Sequence, residues 1–167
     1  TLAADIVARL QSALDARSKA YLVVSGGSTP KGLFAVLAST ELAWDKVTVL
    51  LADERWVPDD HADCNERMVR EYLLTGKARD AQLLSLTEGY PDTAANLAIV
   101  NSALANIGAF DVVVLGMGLD GHTASLFPEA PELTEGLETD KPALMTSPQT
   151  APHARIRQSR KRKLDTH

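Results

Sequence analysis

Two glycine-rich segments of the sequence contain residue types that could bind an anion and catalyse a reaction beside it. The first reads Ser-Gly-Gly-Ser-Thr-Pro at positions 25–30. Its glycines would let the backbone turn tightly and bring amide N–H groups to a ligand, and the hydroxyls of Ser28 and Thr29 would add donors. A helix beginning near Pro30 would point the positive end of its dipole at the same place. We interpret this segment as a phosphate-binding turn, with a plain turn capped by Ser28 or Thr29 as the alternative.

The second segment reads Gly-Met-Gly-Leu-Asp-Gly-His at positions 116–122 and places an acid two residues before a base. His122 could act as a general base near neutral pH, because the pKa of an ordinary histidine is about 6.5. Asp120, or Asp53 from elsewhere in the chain, could orient the imidazole and stabilise its protonated form. The alternative is that His122 only makes local hydrogen bonds at the start of a helix. Its position beside glycines and an aspartate, after a buried strand, favours the catalytic interpretation.

A third polar segment, Asp53-Glu54-Arg55-Trp56, follows another apolar run. Arg55 could hold a carboxylate, a phosphate or a developing oxyanion, since its guanidinium offers several N–H donors. The alternative for Arg55 is a surface ion pair with Glu54 or Asp59. This segment adds a candidate anion-binding cation to the two glycine-rich turns.

Dinucleotide binding and Ser-His-Asp hydrolysis each match part of these segments but lack other features that they require. Positions 116–121 fit the dinucleotide fingerprint G-x-G-x-x-G, but Pro128 and Pro131 interrupt the helix that must follow it. The acids at the required distance also lie in a polar loop rather than after a strand. A Ser-His-Asp hydrolase, with Ser25 or Ser28 as nucleophile, would usually show a G-x-S-x-G elbow, which the sequence lacks. We therefore expect no NAD, and we rank a serine nucleophile below direct attack by water.

A metal site is not expected either. His61, Asp63 and Cys64 lie close together in sequence, but they lack a recognised ligand spacing with His122 or His153. The prediction is therefore a site with no metal and no cofactor.

Alternating helices and strands would bring the three polar segments together. Some stretches repeat apolar residues at helical spacing, while short continuous apolar runs indicate strands buried on both faces. Helices are predicted at 2–14, 30–37, 65–74 and 93–107, with a helical turn at 123–127. Strands are predicted at 21–24, 47–51, 82–86 and 111–115. The segment 129–152 is predicted to be mostly loop, with a short strand at 143–145. This order predicts an α/β fold, with a mostly parallel sheet flanked by helices on both faces in a Rossmann-like three-layer sandwich. The ligand site would lie at the carboxyl ends of the strands.

Size and charge restrict the function further. A chain of 167 residues suits one domain, and no apolar run approaches the about 20 residues that span a bilayer. The first residues lack the pattern of a signal peptide, and the single cysteine, Cys64, favours a reducing compartment, so we expect a cytoplasmic protein. The net charge is −5, and residues 151–167 hold six basic residues against one acidic residue, which leaves the remainder at −10. Such an acidic body argues against broad contact with nucleic acid.

Three motifs give the chain a resemblance to a known family. They are SGGSTPKGLF at 25–34, DERWVP at 53–58 and GMGLDGHTASLFP at 116–128, and Asn65-Glu66 and the segment 151–156 fit the same pattern. The chain resembles the 6-phosphogluconolactonases, a branch of the superfamily that also includes glucosamine-6-phosphate deaminase. The sequence after the histidine of the third motif, and the Arg-Trp pair of the second, look like the lactonase branch.

The resemblance implies hydrolysis of 6-phospho-D-glucono-1,5-lactone to 6-phosphogluconate in the oxidative pentose phosphate pathway, without metal or cofactor. It implies that His122 activates the attacking water and that Asp120 and Asp53 orient or balance it. Arg55 would bind the substrate or the oxyanion. The substrate and its phosphate would be held by a further set, namely Gly26, Gly27, Ser28, Thr29, Gly118 and Arg155. The alternatives are an aminosugar-phosphate isomerase/deaminase and a non-catalytic sugar-phosphate binding module.

The resemblance also sets the expected domain and partners. We expect a sugar-phosphate lactonase domain at 1–156, followed at 157–167 by a basic tail or by a truncated or gap-joined remnant of the same domain. Members of the family normally continue through further strand and helix, so the fold would be incomplete at its C-terminus if that part is absent. The expected partner is the small sugar phosphate lactone, with no nucleic acid and no membrane, and the protein is expected to be a monomer or weak homo-oligomer.

Overall fold

A four-stranded parallel sheet lies at the centre of the structure, beside a smaller antiparallel sheet. The structure, a computed structural model, describes residues 1–138, 143–146 and 152–158. The helices are α1 (Leu2–Arg17), α2 (Lys31–Ala38), α3 (Asn65–Tyr72), α4 (Thr93–Ala105) and α5 (Leu133–Glu138). The strands are β1 (Ala20–Val24), β2 (Val47–Leu51), β3 (Asp53–Arg55), β4 (Gln82–Leu84), β5 (Val112–Val113), β6 (Ala143–Thr146) and β7 (Arg155–Gln158).

The parallel sheet has the strand order β4-β2-β1-β5. Strands β1 and β2 pair along their whole length, from Ala20 opposite Val47 to Val24 opposite Leu51. Most of their side chains are buried, which explains why both strands read as continuous apolar runs rather than as alternating patterns. The predicted α/β class with a mostly parallel sheet is confirmed.

Helix α1 packs an apolar face against the rest of the fold. Its buried residues recur at helical spacing, and they are Ala3, Ile6, Leu10, Ala13 and Leu14. The hydroxyl of Thr1 caps the helix by accepting from the N–H of Ala4, and the guanidinium of Arg17 at the other end pairs with Asp111 beside β5. Neither α1 nor any other helix in the described ranges is long and apolar enough to cross a membrane.

The antiparallel sheet has the order β3-β7-β6, and the sequence patterns predicted only its β6 strand. Strands β3 and β7 pair with Asp53 opposite Arg157 and Arg55 opposite Arg155. Charged residues occupy both strands, so neither shows the apolar periodicity by which a strand is found. The chain thus pairs two segments that lie about a hundred positions apart and carry most of the charge near the site.

The predicted helical turn at 123–127 is wrong. Thr123 instead bridges back across a tight turn at Ala124 and Ser125, whose φ angles are 48° and 57°. Side-chain hydrogen bonds stabilise this turn, and one of them runs from the hydroxyl of Thr123 to the carbonyl oxygen of Gly116 at 2.7 Å. Local contacts of this kind offer the backbone an alternative to helical hydrogen bonds.

The C-terminal part also differs from the sequence prediction. The segment 129–152, predicted as mostly loop, contains helix α5 in addition to the predicted short strand, which is β6. Strand β7 continues through Gln158, so the first two positions of the predicted tail lie in the sheet. Positions 159–167 lie outside the described residues.

A buried amide in α4 provides a test of the fold. The side chain of Asn96 accepts from the N–H of Gly89 and donates to the carbonyl oxygen of Leu86, both at 2.8 Å. We expect Asn96→Ala to lower the free energy of unfolding by about 2–4 kcal/mol, because two backbone groups would lose their partners. Asn106→Ala, at the exposed end of the same helix, should change it by less than about 0.5 kcal/mol. Urea unfolding followed by circular dichroism measures both, and equal losses in the two variants would contradict the prediction.

Candidate active site

The carboxyl ends of β1, β2 and β5 open onto one cleft of about 370 Å³. Most of the predicted site residues line it, and they are Gly26, Gly27, Thr29, Asp53, Arg55, Gly118, His122 and Arg155. Two other predicted site residues, Ser28 and Asp120, do not line it. The three polar segments therefore converge, as expected for the strand ends of a parallel sheet.

His122 is held by an acid on one side and an aromatic ring on the other. Its Nδ1 lies 2.5 Å from Oδ1 of Asp120, and its ring stacks on Phe127 with the ring centroids 4.5 Å apart. The same carboxylate oxygen accepts from the backbone N–H of His122 at 3.2 Å. These hydrogen bonds lower the pKa of Asp120, so its carboxylate stays ionised and can balance a protonated imidazole. Of the two acids considered as partners, Asp120 is the one that contacts His122.

The close contact between this acid and base requires glycine at position 118. A Cβ on Gly118 would lie 2.3 Å from Cε1 and Nδ1 of His122 and 2.7 Å from Oδ1 of Asp120. The N–H of Gly118 also donates to the carbonyl oxygen of His122 at 2.8 Å. Gly118 therefore lets the main chain fold closely around the pair, in addition to lining the cleft.

The turn after β1 presents the start of helix α2 to the cleft. Gly27 has a φ of 90°, a left-handed conformation that favours glycine. Pro30 is the N-cap of α2, and no side chain caps the helix, so the alternative in which Ser28 or Thr29 serves as the cap is wrong. An anion at this helix start would be favoured by the dipole and by the first-turn amides.

Ser25 joins this turn to the end of β5. Its hydroxyl donates to the carbonyl oxygen of Val114 at 3.2 Å and accepts from the N–H of Gly116 at 3.4 Å. From the sequence, the only specific role predicted for the Ser25 hydroxyl was that of a nucleophile. The structure gives its hydroxyl a bridging role between the glycine-rich turn and the loop that leads to His122.

Arg55 and Arg155 lie opposite each other on β3 and β7, and both line the cleft. Each has a buried Nε that lacks a hydrogen-bond partner in the described part of the chain. Burial lowers the pKa of Arg155, and the positive charge of Arg55 lowers it further. Two neighbouring cations with unsatisfied N–H groups favour an anion between them, because it would satisfy those donors and relieve the repulsion.

Backbone contacts, rather than an ion pair with a neighbouring acid, hold Arg55 in place. Its Nη1 donates to the carbonyl oxygen of Asp63 at 2.7 Å. The carboxylate of Glu54 instead accepts three backbone N–H groups at 2.7–2.8 Å, those of Arg55, Asn65 and Glu66. Burial raises the pKa of Glu54 to about 7, while these N–H groups oppose the rise. Glu54 therefore fixes the start of α3 against β3.

Asn65 is a buried residue of the cleft whose role the sequence did not reveal. Its Nδ2 donates to the carbonyl oxygen of Asp53 at 3.1 Å. Its side chain lies so close to Gly26 that a Cβ at position 26 would be 1.9 Å from Oδ1 of Asn65. The Asn65-Glu66 pair fits the family pattern, but the pattern does not say what the asparagine contacts.

Buried polar groups hold the turn that follows His122. The hydroxyl of Ser125 donates to Oδ2 of Asp53 at 2.5 Å, and Nε of Arg157 donates to the carbonyl oxygen of Ala124 at 3.3 Å. Burial lowers the pKa of Arg157 to about 10, and the charge of Asp53 opposes this. Asp53 thus contacts the turn after the histidine rather than the histidine itself. The third motif includes Ser125 without indicating what it contacts, and no motif includes Arg157, because the partners of both residues come from distant segments.

The contact between Gly26 and Asn65 provides a test of this packing. We expect Gly26→Ala to lower the free energy of unfolding by about 1–3 kcal/mol, because the new methyl group would displace the asparagine from the carbonyl of Asp53. Gly32→Ala is the control, since a Cβ there meets nothing within 4 Å and the residue lies in a helix. That variant should raise the free energy of unfolding by up to about 1 kcal/mol. Thermal and urea unfolding measure both, and a stabilising Gly26→Ala substitution would contradict the described contact.

Comparison with known proteins identifies the family. The sequence model described as glucosamine-6-phosphate isomerases/6-phosphogluconolactonase matches residues 1–161. A 6-phosphogluconolactonase of Pseudomonas putida is 43% identical over 162 residues, covering 96% of this chain and 67% of the relative. A second, of Rhizobium meliloti, is 48% identical over 142 residues, covering 84% of this chain and 61% of the relative. The chain thus spans about two thirds of the length of these curated relatives.

Solved structures agree with the sequence comparison. The crystal structure of a 6-phosphogluconolactonase from Shewanella baltica has a TM-score of 0.90 and 48% identity, covering 95% of this chain and 68% of that one. The 6-phosphogluconolactonase structure from Trypanosoma brucei has a TM-score of 0.74 and 27% identity, covering 94% of this chain and 70% of that one. As its three motifs predicted, the chain belongs to the glucosamine-6-phosphate isomerase/6-phosphogluconolactonase family.

Proposed function

We propose that the cleft hydrolyses 6-phospho-D-glucono-1,5-lactone to 6-phosphogluconate, a step of the oxidative pentose phosphate pathway. The observation that carries the proposal is His122, which is paired with Asp120 and lines the same cleft as the uncapped start of α2 and two arginines. A base, an anion site and oxyanion-stabilising cations are what hydrolysis of a phosphorylated lactone requires. The names of the relatives support this reaction over others in the family.

The proton transfers follow from the geometry of the histidine. Asp120 accepts the hydrogen bond of Nδ1, so Nε2 is the ring nitrogen that can take a proton from water. The water oxygen then bonds to the lactone carbonyl carbon, and the carbonyl oxygen becomes an oxyanion. When this intermediate collapses, the bond from the carbon to the ring oxygen breaks, and the imidazolium returns its proton to that oxygen. These steps use only water and side chains of the chain, so they require no metal or cofactor.

The remaining candidate residues would bind the substrate. In our proposal the turn at 26–29 and Arg155 hold the phosphate, since one offers helix-start amides and the other an unsatisfied guanidinium. Arg55 would stabilise the oxyanion or position the sugar. Gly118 and Asp53 act through the main chain around His122, the first by permitting its contact with Asp120 and the second by holding the following turn.

Other expectations remain predictions alongside this proposal. The cytoplasmic location, the absence of nucleic-acid and membrane partners and the monomeric or weakly oligomeric state are among them, as is a lactonase domain that ends near position 156. The family also contains aminosugar-phosphate isomerases, and that reaction would release ammonia from glucosamine 6-phosphate. Ammonia release without lactone hydrolysis would therefore replace our proposal with the isomerase reaction.

Substitution of the proposed base tests the reaction. We expect His122→Gln to lower kcat/KM for the lactone by about 100- to 10,000-fold, because the water would lose its general base. Asp120→Asn should cause a smaller loss, since it keeps the shape of the pair but cannot balance the imidazolium. Asp15→Asn, on the exposed face of α1, is the matched control and should behave as wild type. The rate of 6-phosphogluconate formation above spontaneous hydrolysis measures each variant, and wild-type turnover by His122→Gln would refute the assignment.

The proposed phosphate contact has a separate test. We expect Arg155→Met to lower kcat/KM for the phosphorylated lactone by about 10- to 100-fold, because a charge-assisted contact would be lost. The same variant should leave the slow turnover of unphosphorylated glucono-1,5-lactone unchanged. Arg70→Met, which removes an exposed arginine paired with Glu66 on α3, is the control for the loss of one positive charge. Equal losses on both lactones would assign Arg155 to something other than the phosphate.

A further inference from the structure

A second cluster of chemically capable side chains lies outside the proposed catalytic cleft. His61 and Asp63 belong to the loop between β3 and α3, and His153 precedes β7. One potential ligand atom from each residue lies within 4.8 Å of the others. Nε2 of His153 is 2.8 Å from Oδ2 of Asp63, and the two imidazole rings meet edge to face with centroids 5.2 Å apart. The proposed hydrolysis uses none of these three side chains.

We propose that His61, Asp63 and His153 form a binding site for a divalent transition metal of the zinc class. Two imidazoles and one carboxylate are ligands that zinc prefers, and three protein ligands leave a coordination position for water. The site is separate from the chemistry of His122, and it does not depend on which reaction the cleft catalyses.

The distances suit such an ion. Tetrahedral zinc with bonds of about 2.0–2.1 Å places its ligand atoms about 3.3 Å apart. The His153 Nε2 to Asp63 Oδ2 distance is 2.8 Å, and all three ligand atoms lie within 4.8 Å of one another. The ion would enter between side chains that already meet, so only small movements are needed. The Asp63 side chain is half exposed, so that solvent can deliver the ion and complete its coordination.

The neighbouring Arg55 does not occupy the side-chain carboxylate of Asp63, which can therefore bind a metal ion. Arg55 donates to the backbone carbonyl oxygen of Asp63, and the side chain of Asp63 instead meets His153. Metal binding would therefore replace one hydrogen bond between His153 and Asp63 without removing the anchor of Arg55.

The three ligands are not equivalent. Nδ1 of His61 accepts from the backbone N–H of Asp63 at 3.0 Å. A metal at Nδ1 would displace that hydrogen bond, and a metal at Nε2 would require the ring proton to move to Nδ1. We therefore expect His153 and Asp63 to contribute more of the affinity than His61.

The proposed ion would crosslink two distant parts of the chain. The loop after β3 and the segment before β7 are already joined where the N–H of Trp56 donates to the carbonyl oxygen of Ala154 at 2.8 Å. A metal bridge beside this hydrogen bond would stabilise the edge of the antiparallel sheet. Since an ion that binds only the folded state raises apparent stability, thermal unfolding provides a second readout.

Zinc titration of the whole chain, first stripped of metal with a chelator, tests the proposal. Isothermal titration calorimetry should find one zinc ion per chain, and zinc should raise the midpoint of thermal unfolding. His153→Ala and Asp63→Ala should each weaken zinc binding at least about tenfold and abolish the rise in midpoint, with a smaller effect for His61→Ala. Asp59→Ala is the matched control from the same loop, and His122→Gln controls for zinc in the cleft; both should bind zinc as wild type does.

Several results would refute the proposed metal site. Wild type could bind no zinc, or His153→Ala could bind it as tightly as wild type does. Loss of binding in His122→Gln but not in His153→Ala would place the ion in the catalytic cleft instead. Far-ultraviolet circular dichroism of each metal-free variant establishes that the fold is intact, and Asp63→Asn, which keeps the size of the side chain, replaces Asp63→Ala if that variant fails to fold.

Discussion

The pairing of strands β3 and β7 is the interaction on which the site depends. It joins the segment after the second parallel strand to one about a hundred positions later, with Asp53 opposite Arg157 and Arg55 opposite Arg155. This register places two arginines side by side at the cleft and a third beneath the turn that follows His122. It also brings the loop at 61–63 next to position 153. Without this pairing the cleft would keep its glycine-rich turns and its histidine but would lose most of its positive charge.

Burying these charged side chains costs folding free energy, because they lose their contact with water. Arg155 and Arg157 are buried, and burial lowers the pKa of each. Nearby acids offset part of this cost, but Asp53 shares its carboxylate with the hydroxyl of Ser125. The Nε of Arg155 keeps no partner among the described residues. These buried arginines would bind a multiply charged anion more strongly, because the anion would supply the hydrogen-bond partners that they lack.

Backbone strain is concentrated beside the proposed base. Ala124 and Ser125 adopt left-handed φ angles that non-glycine residues rarely take. The strained turn persists because hydrogen bonds from Thr123, Ser125 and Arg157 hold it from three directions. Its effect is to bring Phe127 back onto the face of the His122 ring. The imidazole is thereby fixed between an aromatic ring and the carboxylate of Asp120, which is the preorganisation that general base catalysis benefits from.

The sequence by itself determined the parallel sheet, the positions of its polar strand ends and the family. Continuous apolar runs identify buried strands because both faces are covered, and glycine-rich turns after such strands can be recognised within a few positions. Only the tertiary structure decided which acid contacts His122, why glycine is needed at 118, and what Asn65, Ser125 and Arg157 do. It also revealed strands β3 and β7 and brought His61, Asp63 and His153 together, although their spacing predicted no site. The physical reason is that these features depend on contacts between residues far apart in the chain, with charged side chains that have no periodic pattern of their own.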